Sequence, residues 1–441
     1  MGAVKGRLDR AEAVWTLTES ANEPWFNLVN RYVFAPYFAG TLAAAAGPGV
    51  GAALWGTALG AAGLAIALLA PVIGSIADSG SRLKPWLAVV SAVAFLCAAS
   101  LWFAAPGVPL LPVLVAVFVA TVAVEFMNQF VNALLPSAAS RPGRMGLLSG
   151  LAFGLSQVAG IAVLLIILAL SRAEGGFLAD VPNGVDRMAG PIAAAGVLLF
   201  LTPFLLIGRD REPGPPASVR KGLRDLLATL KDAWSDWPVR LFLIARMVAA
   251  DGMTVVFAFG AVLAAATFGW QAGTLAIFGL GISLFGAIGG FLAGWLDLRI
   301  GSRAVVIAGL VLLSLGTASV LLTDETRLFG VETGRAPETP LSTPQEYGFL
   351  VAGMVIAAGA AFAIAGMRTF MAQLAPPAKL AAYFGLYAFV GKATAFVGPL
   401  IVGLIAAQTG SVRGGIAVAL VFLLAGLGLF LLIRSPKTRL A

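Results

Sequence analysis

The sequence predicts an all-α integral membrane protein: twelve transmembrane helices in two pseudo-symmetric six-helix bundles, with both termini cytoplasmic. Three observations carry this reading. The chain of 441 residues is 59% hydrophobic and 11% charged, with a mean hydropathy of +0.94, more apolar surface than a soluble core can hide. It divides into twelve apolar runs of bilayer-crossing length. Its Lys and Arg residues fall unevenly among the connections between those runs.

A helix needs about twenty mostly apolar residues to cross the hydrocarbon. Bounded by Pro, Gly and charge, such runs fall at 24–46, 50–75, 85–105, 108–135, 146–171, 189–208, 239–268, 271–296, 303–323, 347–373, 382–408 and 413–434. Of the 29 Lys and Arg residues, 21 lie in the two termini and the connections on their side. Five lie on the opposite side (Arg172, Arg187, Arg327, Arg335, Arg413) and three deep inside spans (Arg31, Arg246, Lys392), residues near a span end being counted with the adjoining connection. Cytoplasmic connections hold the basic excess, which places both termini in the cytoplasm. The expected order is a cytoplasmic segment 1–23, a bundle 24–208, a cytoplasmic linker 209–238, a second bundle 239–434 and a tail 435–441.

A net charge of +8 points to nucleic acid in a soluble protein; here the basic loops of a membrane protein account for it, and no nucleic-acid partner is expected. The chain has no histidine and one cysteine, Cys97, in an apolar run. That removes the commonest metal ligand, and neither metal nor cofactor is expected. Any protons that cross must ride on carboxylates. Residues 1–23 mix bases with acids and lack a short apolar core with a small-residue cleavage site, so no cleaved signal peptide is expected. The linker contains Pro213, Pro215 and Pro216 and then an amphipathic basic stretch, Val219 to Trp237. It reads as a tether that satisfies the charge rule, or as a contact with anionic lipid by 219–237 along the inner leaflet. The segment from Asp324 to Gln345 reads as an external loop without chemistry.

An ionisable group at the bilayer centre costs roughly 2.5–3.5 kcal/mol on insertion scales, so it faces protein or water. In the first span Glu23, Asn27, Asn30, Arg31 and Phe34 share one helical face; in the fourth, Thr121, Glu125, Asn128, Gln129 and Asn132 do the same. Taking 24 as the start of the first span puts Arg31 and Glu125 at similar depth, roughly 12–15 Å from the cytoplasmic side, which predicts an Arg31–Glu125 ion pair. It reads as a permanent tie between two helices or as a pair that exchanges with substrate or proton. In the second half the polar residues are Arg246, Asp251 and Thr254, then Tyr383, Tyr387, Lys392 and Thr394. Depth pairs Asp251 with Lys392 and leaves Arg246 for a negative group of the substrate. Gly252 is read as a packing position. Ser149, Ser156 and Gln157 add polarity to the fifth span, with Gln157 facing either the substrate or a neighbouring helix. Three deep cations against two anions favour an anionic or zwitterionic solute. Glu125 and Asp251 are the proton-coupling candidates.

The two halves echo each other. Gly74-Ser-Ile-Ala-Asp78-Ser-Gly-Ser-Arg82-Leu-Lys84 follows the second span, and Trp295-Leu-Asp297-Leu-Arg299-Ile-Gly301-Ser-Arg303 follows the eighth. These turns resemble the loop signature of the major facilitator superfamily, although in the first copy a Ser takes the usual place of the Gly. Phe34-Ala-Pro-Tyr-Phe38, Arg368-Thr-Phe, Pro376-Pro377 and the long stretch Tyr383-Phe-Gly-Leu-Tyr-Ala-Phe-Val-Gly-Lys392-Ala-Thr-Ala-Phe-Val-Gly-Pro399 narrow the match. They are similar to the "unknown major facilitator" family, related to the vacuole effluxers of autophagy. Glu19-Ser20-Ala21-Asn22 stands where that family carries Asp-Trp-Ala-Asn. The resemblance implies a secondary transporter working by alternating access, with substrate bound between the bundles. It also implies that Asp78, Arg82, Asp297, Arg303 and Arg368 form a cytoplasmic gate that latches the halves in the outward-open state.

The expected function is therefore transport of a small amino-acid-like or organic-acid solute by a monomer in the bacterial inner (plasma) membrane. A lipid or lysolipid transporter on the same fold is the nearest alternative. An intramembrane enzyme is the other class; without a His or Cys cluster or a second deep carboxylate facing the first, it is disfavoured.

Overall fold

The computed structural model describes residues 8–78, 82–139, 145–173, 178, 180–210, 219–333, 339–376 and 380–433. In lipid a backbone must satisfy its own N–H and C=O groups, so long apolar runs become helices. An irregular helical run at 10–42, here α1, is followed by α2 (Val50–Asp78), α3 (Lys84–Ser100), α4 (Leu110–Ala138), α5 (Met145–Arg172) and α6 (Ala189–Ile207). The linker helix α7 (Val219–Ser235) leads to α8 (Trp237–Phe268), α9 (Ala272–Ile300), α10 (Ser302–Leu321), α11 (Pro344–Leu374), α12 (Leu380–Ala393), α13 (Val397–Thr409) and α14 (Val412–Leu431). Among the described residues eleven helices are long and apolar enough to cross a membrane, and the interrupted α1 is not one of them. The only strands described are a two-residue hairpin pairing Arg327 with Glu332 and Leu328 with Val331.

Most helix limits fall within a few residues of the sequence expectation, and two do not. The first span was expected to begin at 24, but the helix begins at Arg10. Asp9 caps it, accepting from the Glu12 N–H at 2.9 Å while the Glu12 carboxylate accepts from the Asp9 N–H at 3.1 Å. Pro24 does not start the helix. The turn before it, Thr18–Ala21, tightens to 3₁₀ geometry, so the N–H that proline lacks is not missed. The run then widens to a π-helix at Trp25–Tyr32, passes Val33 at φ −123° and ψ −69°, and resumes as Phe34–Tyr37. Pro36 explains this break, because its ring collides with the carbonyl four residues back, at Tyr32.

The second departure is at 382–408, expected as one helix. It is two, α12 and α13, separated at residues 394–396. Pro399 again stands four residues beyond the break, facing the carbonyl of Ala395.

Within the first half, α1 packs on α5 and α6, α2 on α4, and α3 on α4 and α6; within the second, α8 packs on α14, and α11 on α9 and α10. Gly252 fits its packing role: a Cβ there would lie 3.0 Å from the Ala419 carbonyl oxygen on α14. Asp9 at the start of α1 is ion-paired with Arg209 after α6 at 3.1 Å, so both lie on one face, called here the terminal face. The halves touch mainly toward the opposite, far face, where α2 meets α13, α5 meets α9, and α1 meets α8. The α2–α13 seam is glycine-lined: a Cβ on Gly56 would lie 2.6 Å from the Pro399 carbonyl oxygen, and one on Gly63 would lie 3.1 Å from the Phe396 Cα. Between α4 and either α11 or α12 there is no comparable packing among the described residues. The space between the halves therefore opens toward the terminal face.

Candidate functional site

Four polar side chains of α1 follow one another at steps of four, Glu19, Glu23, Asn27 and Arg31, which puts them on one face. Asn27 Nδ2 donates to Glu23 Oε2 at 3.3 Å and the Arg31 guanidinium donates to Asn27 Oδ1 at 3.4 Å. Gly160 on α5 gives this ladder room, since a Cβ there would lie 2.7 Å from Asn27 Nδ2. Above it, Arg31 Cζ lies 6.0 Å from the Phe26 ring centroid and 5.5 Å from that of Phe257 on α8, within the reach of a cation–π contact.

On α4, Glu125, Asn128, Gln129 and Asn132 form the expected stripe; Gln129 is half-buried, and Asn132 is exposed and donates to Asn128 Oδ1 at 3.3 Å. Glu125 does not pair with Arg31. It forms an ion pair with Lys392 of α12, so the bond joins the two halves of the chain. Asp251, expected opposite Lys392, is buried on α8 and hydrogen-bonded by Thr394 at the break between α12 and α13. Both expected pairs are thus replaced by others, and depth explains why Arg31 does not reach Glu125. Measured from the true start of α1, Arg31 lies roughly 33 Å from the terminal face, whereas Glu125 and Lys392, counted from the ends of α4 and α12, lie roughly 18–20 Å from it.

Arg246, expected without a partner, donates to the Tyr387 carbonyl oxygen at 3.1 Å, and its Cζ lies 3.4 Å from the Tyr387 ring centroid. Both contacts leave its charge uncompensated; among the described residues no carboxylate is ion-paired with it. Arg368 of α11 is exposed and acts electrostatically on Arg246 and Tyr387 and, across the opening, on Glu19.

The other expected gate residues behave differently. Arg303 donates to the Ile433 and Leu431 carbonyl oxygens at 2.7 and 3.0 Å, which ties α10 to the end of α14 within one half. Arg82 is exposed at the start of α3, and Asp297 is half-buried near the end of α9. The side chains of Asp78 and Ser149 lie outside the described residues. Gln157 is half-buried on α5 beside the fully buried Ser156, and Asn30 is buried on α1.

The sequence reading missed Glu19 and left Glu23 out of the site, because Pro24 looked like a helix start. The four-residue step running back from Arg31 through Glu19 was the available signal. With both acids included, the first half presents Glu19, Glu23 and Glu125 against one cation, Arg31. The second presents Arg246, Arg368 and Lys392 against one carboxylate, Asp251. Buried acceptors without a hydrogen-bond partner, Asn22 Oδ1, Asn30 Oδ1 and Thr121 Oγ1, also lie in the first half.

The comparisons with known proteins agree with this architecture. Autophagy-related protein 22 of Yarrowia lipolytica (strain CLIB 122 / E 150) is 26% identical over 320 residues; the match takes in 66% of this chain and 51% of that protein, so the chain spans about half its length. An uncharacterized MFS-type transporter, YxiO, of Bacillus subtilis (strain 168) is 24% identical over 438 residues, covering 98% of this chain and 96% of the relative. The solved D-xylose-proton symporter superposes with a TM-score of 0.70 at 11% identity, covering 98% of this chain and 99% of that one, which places the fold among the major facilitators. Residues 57–441 match the family described as "Vacuole effluxer Atg22 like". The chain belongs to that family, within the major facilitator superfamily, and is a multi-pass membrane protein.

Proposed function

We propose that this transporter moves a small zwitterionic solute, amino-acid-like in its charges, by alternating access in which the Glu125–Lys392 pair is made and broken. α1 is then the first of twelve spans, completed by the eleven longer ones with α12 and α13 as two parts of one, and the halves before and after the linker move as bundles. Both termini are cytoplasmic on the excess of basic residues on their side, so the cavity described here faces the cytoplasm. The observation that carries the reading is the division of charge: an acidic wall from α1 and α4, a basic wall from α8, α11 and α12, with one ion pair between them. An ammonium group suits Glu19 and Glu23; a carboxylate suits Arg246 and Arg368. A simple anion would use only one wall.

The pair also gives a route to coupling. Glu125 must part from Lys392 for the halves to separate at this level. A proton on Glu125 would release it without leaving a lone buried charge, and a substrate carboxylate could then take its place at Lys392. Asp251, held by Thr394 beside the helix break, is the second proton candidate.

The test begins with a thermal-shift screen of purified protein against amino acids, organic acids, peptides and lysolipids, followed by uptake of the hit into proteoliposomes with and without a proton gradient. Stabilisation by an amino acid but by neither its amide nor its deaminated acid is expected, with gradient dependence lost in Glu125→Gln. A hit among lysolipids alone would overturn the substrate class. Equal gradient dependence in both proteins would remove Glu125 as the carrier.

A further inference from the structure

The linker helix α7 rests on the terminal face against α2, α8 and α12. Its inner side is fixed. Ala233 is fully buried, and Asp232 Oδ2 accepts a hydrogen bond from the Tyr383 hydroxyl at 3.0 Å. Its outer side is not what water favours: Leu227 is 54% exposed, Trp234 48%, and Trp237 just beyond the helix 59%. Arg224 and Lys231 are exposed among them.

Between α7 and the start of α8 runs an open groove of about 560 Å³ lined by Leu227, Leu230, Lys231, Trp234, Ser235 and Arg240. Arg240 is held in place, donating to the Trp234 carbonyl oxygen at 3.1 Å with its Cζ 4.9 Å from the Trp237 ring centroid. Lys231 has no ion-pair partner among the described residues. Two cations thus line a groove whose other walls are chiefly apolar and aromatic. It lies where α8, one of the membrane-crossing helices, begins at Trp237, the level at which tryptophans and basic residues meet lipid headgroups.

We propose that this groove seats the headgroup of an anionic phospholipid, its phosphate between Lys231 and Arg240 and the first part of its acyl chains along Leu227 and Trp234. The chemistry excludes a merely soluble anion as the natural occupant, because a small phosphate leaves the leucine and both tryptophans in water. It also sets the consequence. The Asp232–Tyr383 bond anchors α7 to the first turn of α12, the helix that carries Lys392, so a lipid that holds α7 steadies the basic wall of the cavity.

The full-length protein, extracted from vesicles of phosphatidylcholine mixed equally with phosphatidylglycerol, carries its tightly held lipids into mass spectrometry of the intact protein. Wild type should retain phosphatidylglycerol over phosphatidylcholine. Lys231→Gln and Arg240→Gln should each lower that ratio by about fivefold, and Lys231→Arg should restore it. Rising salt should lower the wild-type ratio as it screens the two cations; if a variant fails to fold, this measurement decides, and a ratio indifferent to salt overturns the proposal. An unchanged ratio in folded Lys231→Gln/Arg240→Gln protein overturns it too. So does a purified dimer that the same substitutions dissociate, which would assign the face to a second copy of the chain.

Discussion

Arg31 stands just before the break that Pro36 imposes on α1, and Lys392 just before the break that Pro399 imposes between α12 and α13. The same device places a cation beside an interrupted helix in each half, yet the two cations have opposite surroundings. Arg31 has an acid ladder on its own helix, through Asn27 to Glu23. Lys392 has no such supply and reaches across the cavity to Glu125. A charge with a carboxylate on its own helix can stay there while the bundles move. Lys392 has none on its helix and bridges instead, and the bridge is what a transport cycle can act on.

The largest expected effect reverses the bridging charge. Lys392→Glu sets two carboxylates against each other; Glu125 is nearly buried but the Lys392 side chain is 52% exposed, so screening holds the cost to about 3 kcal/mol, the low end for a buried pair, and uptake into proteoliposomes should fall about a hundredfold. The swap Glu125→Lys with Lys392→Glu should recover most of it, and failure of the swap would mean that the pair's position, not its charge, matters. Next in size is Arg246→Ala. Removing a charged hydrogen-bond donor costs about 1.5–3 kcal/mol, so ligand affinity in the thermal-shift assay should weaken about tenfold or more with folding unimpaired. Gly56→Val forces a side chain into the α2–α13 seam at about 1–3 kcal/mol. It should raise the reactivity of a cysteine introduced at the far-face end of α2 toward a membrane-impermeant maleimide. The smallest effect belongs to the self-contained charge: Asn27→Ala, which breaks the ladder without touching the bridge, should lower stability by about 1 kcal/mol and leave gradient dependence intact.

Much of this was legible in the sequence. The polar stripe on α4 and the depth of Lys392 follow from periodicity and rise alone, and Tyr387, whose ring lies beneath Arg246, belongs to the polar residues that the sequence marks in the second half. What failed was the location of one helix end. Pro24 reads locally as a start signal, and only the tertiary fit of α1 against α5 and α6, with its 3₁₀ turn, reveals that the helix runs through it. That shift moved Arg31 deeper by more than three helical turns, out of reach of Glu125, which pairs with Lys392 instead. The break after Ala393 was hidden for a related reason: a proline in a membrane helix forces either a kink or a full interruption, and neighbouring helices decide which.

The glycine seam between α2 and α13 has a bearing on speed. Among the described residues no hydrogen bond or ion pair crosses it, so parting the two helices strands no donor or acceptor and frees no charge. Only close-range dispersion is surrendered, and lipid tails or side chains moving into the gap return part of it. The α2–α13 seam therefore behaves as a dry hinge plate. The pace of a transport cycle would then be set at the wet end, by the lifetime of a single lysine–glutamate contact.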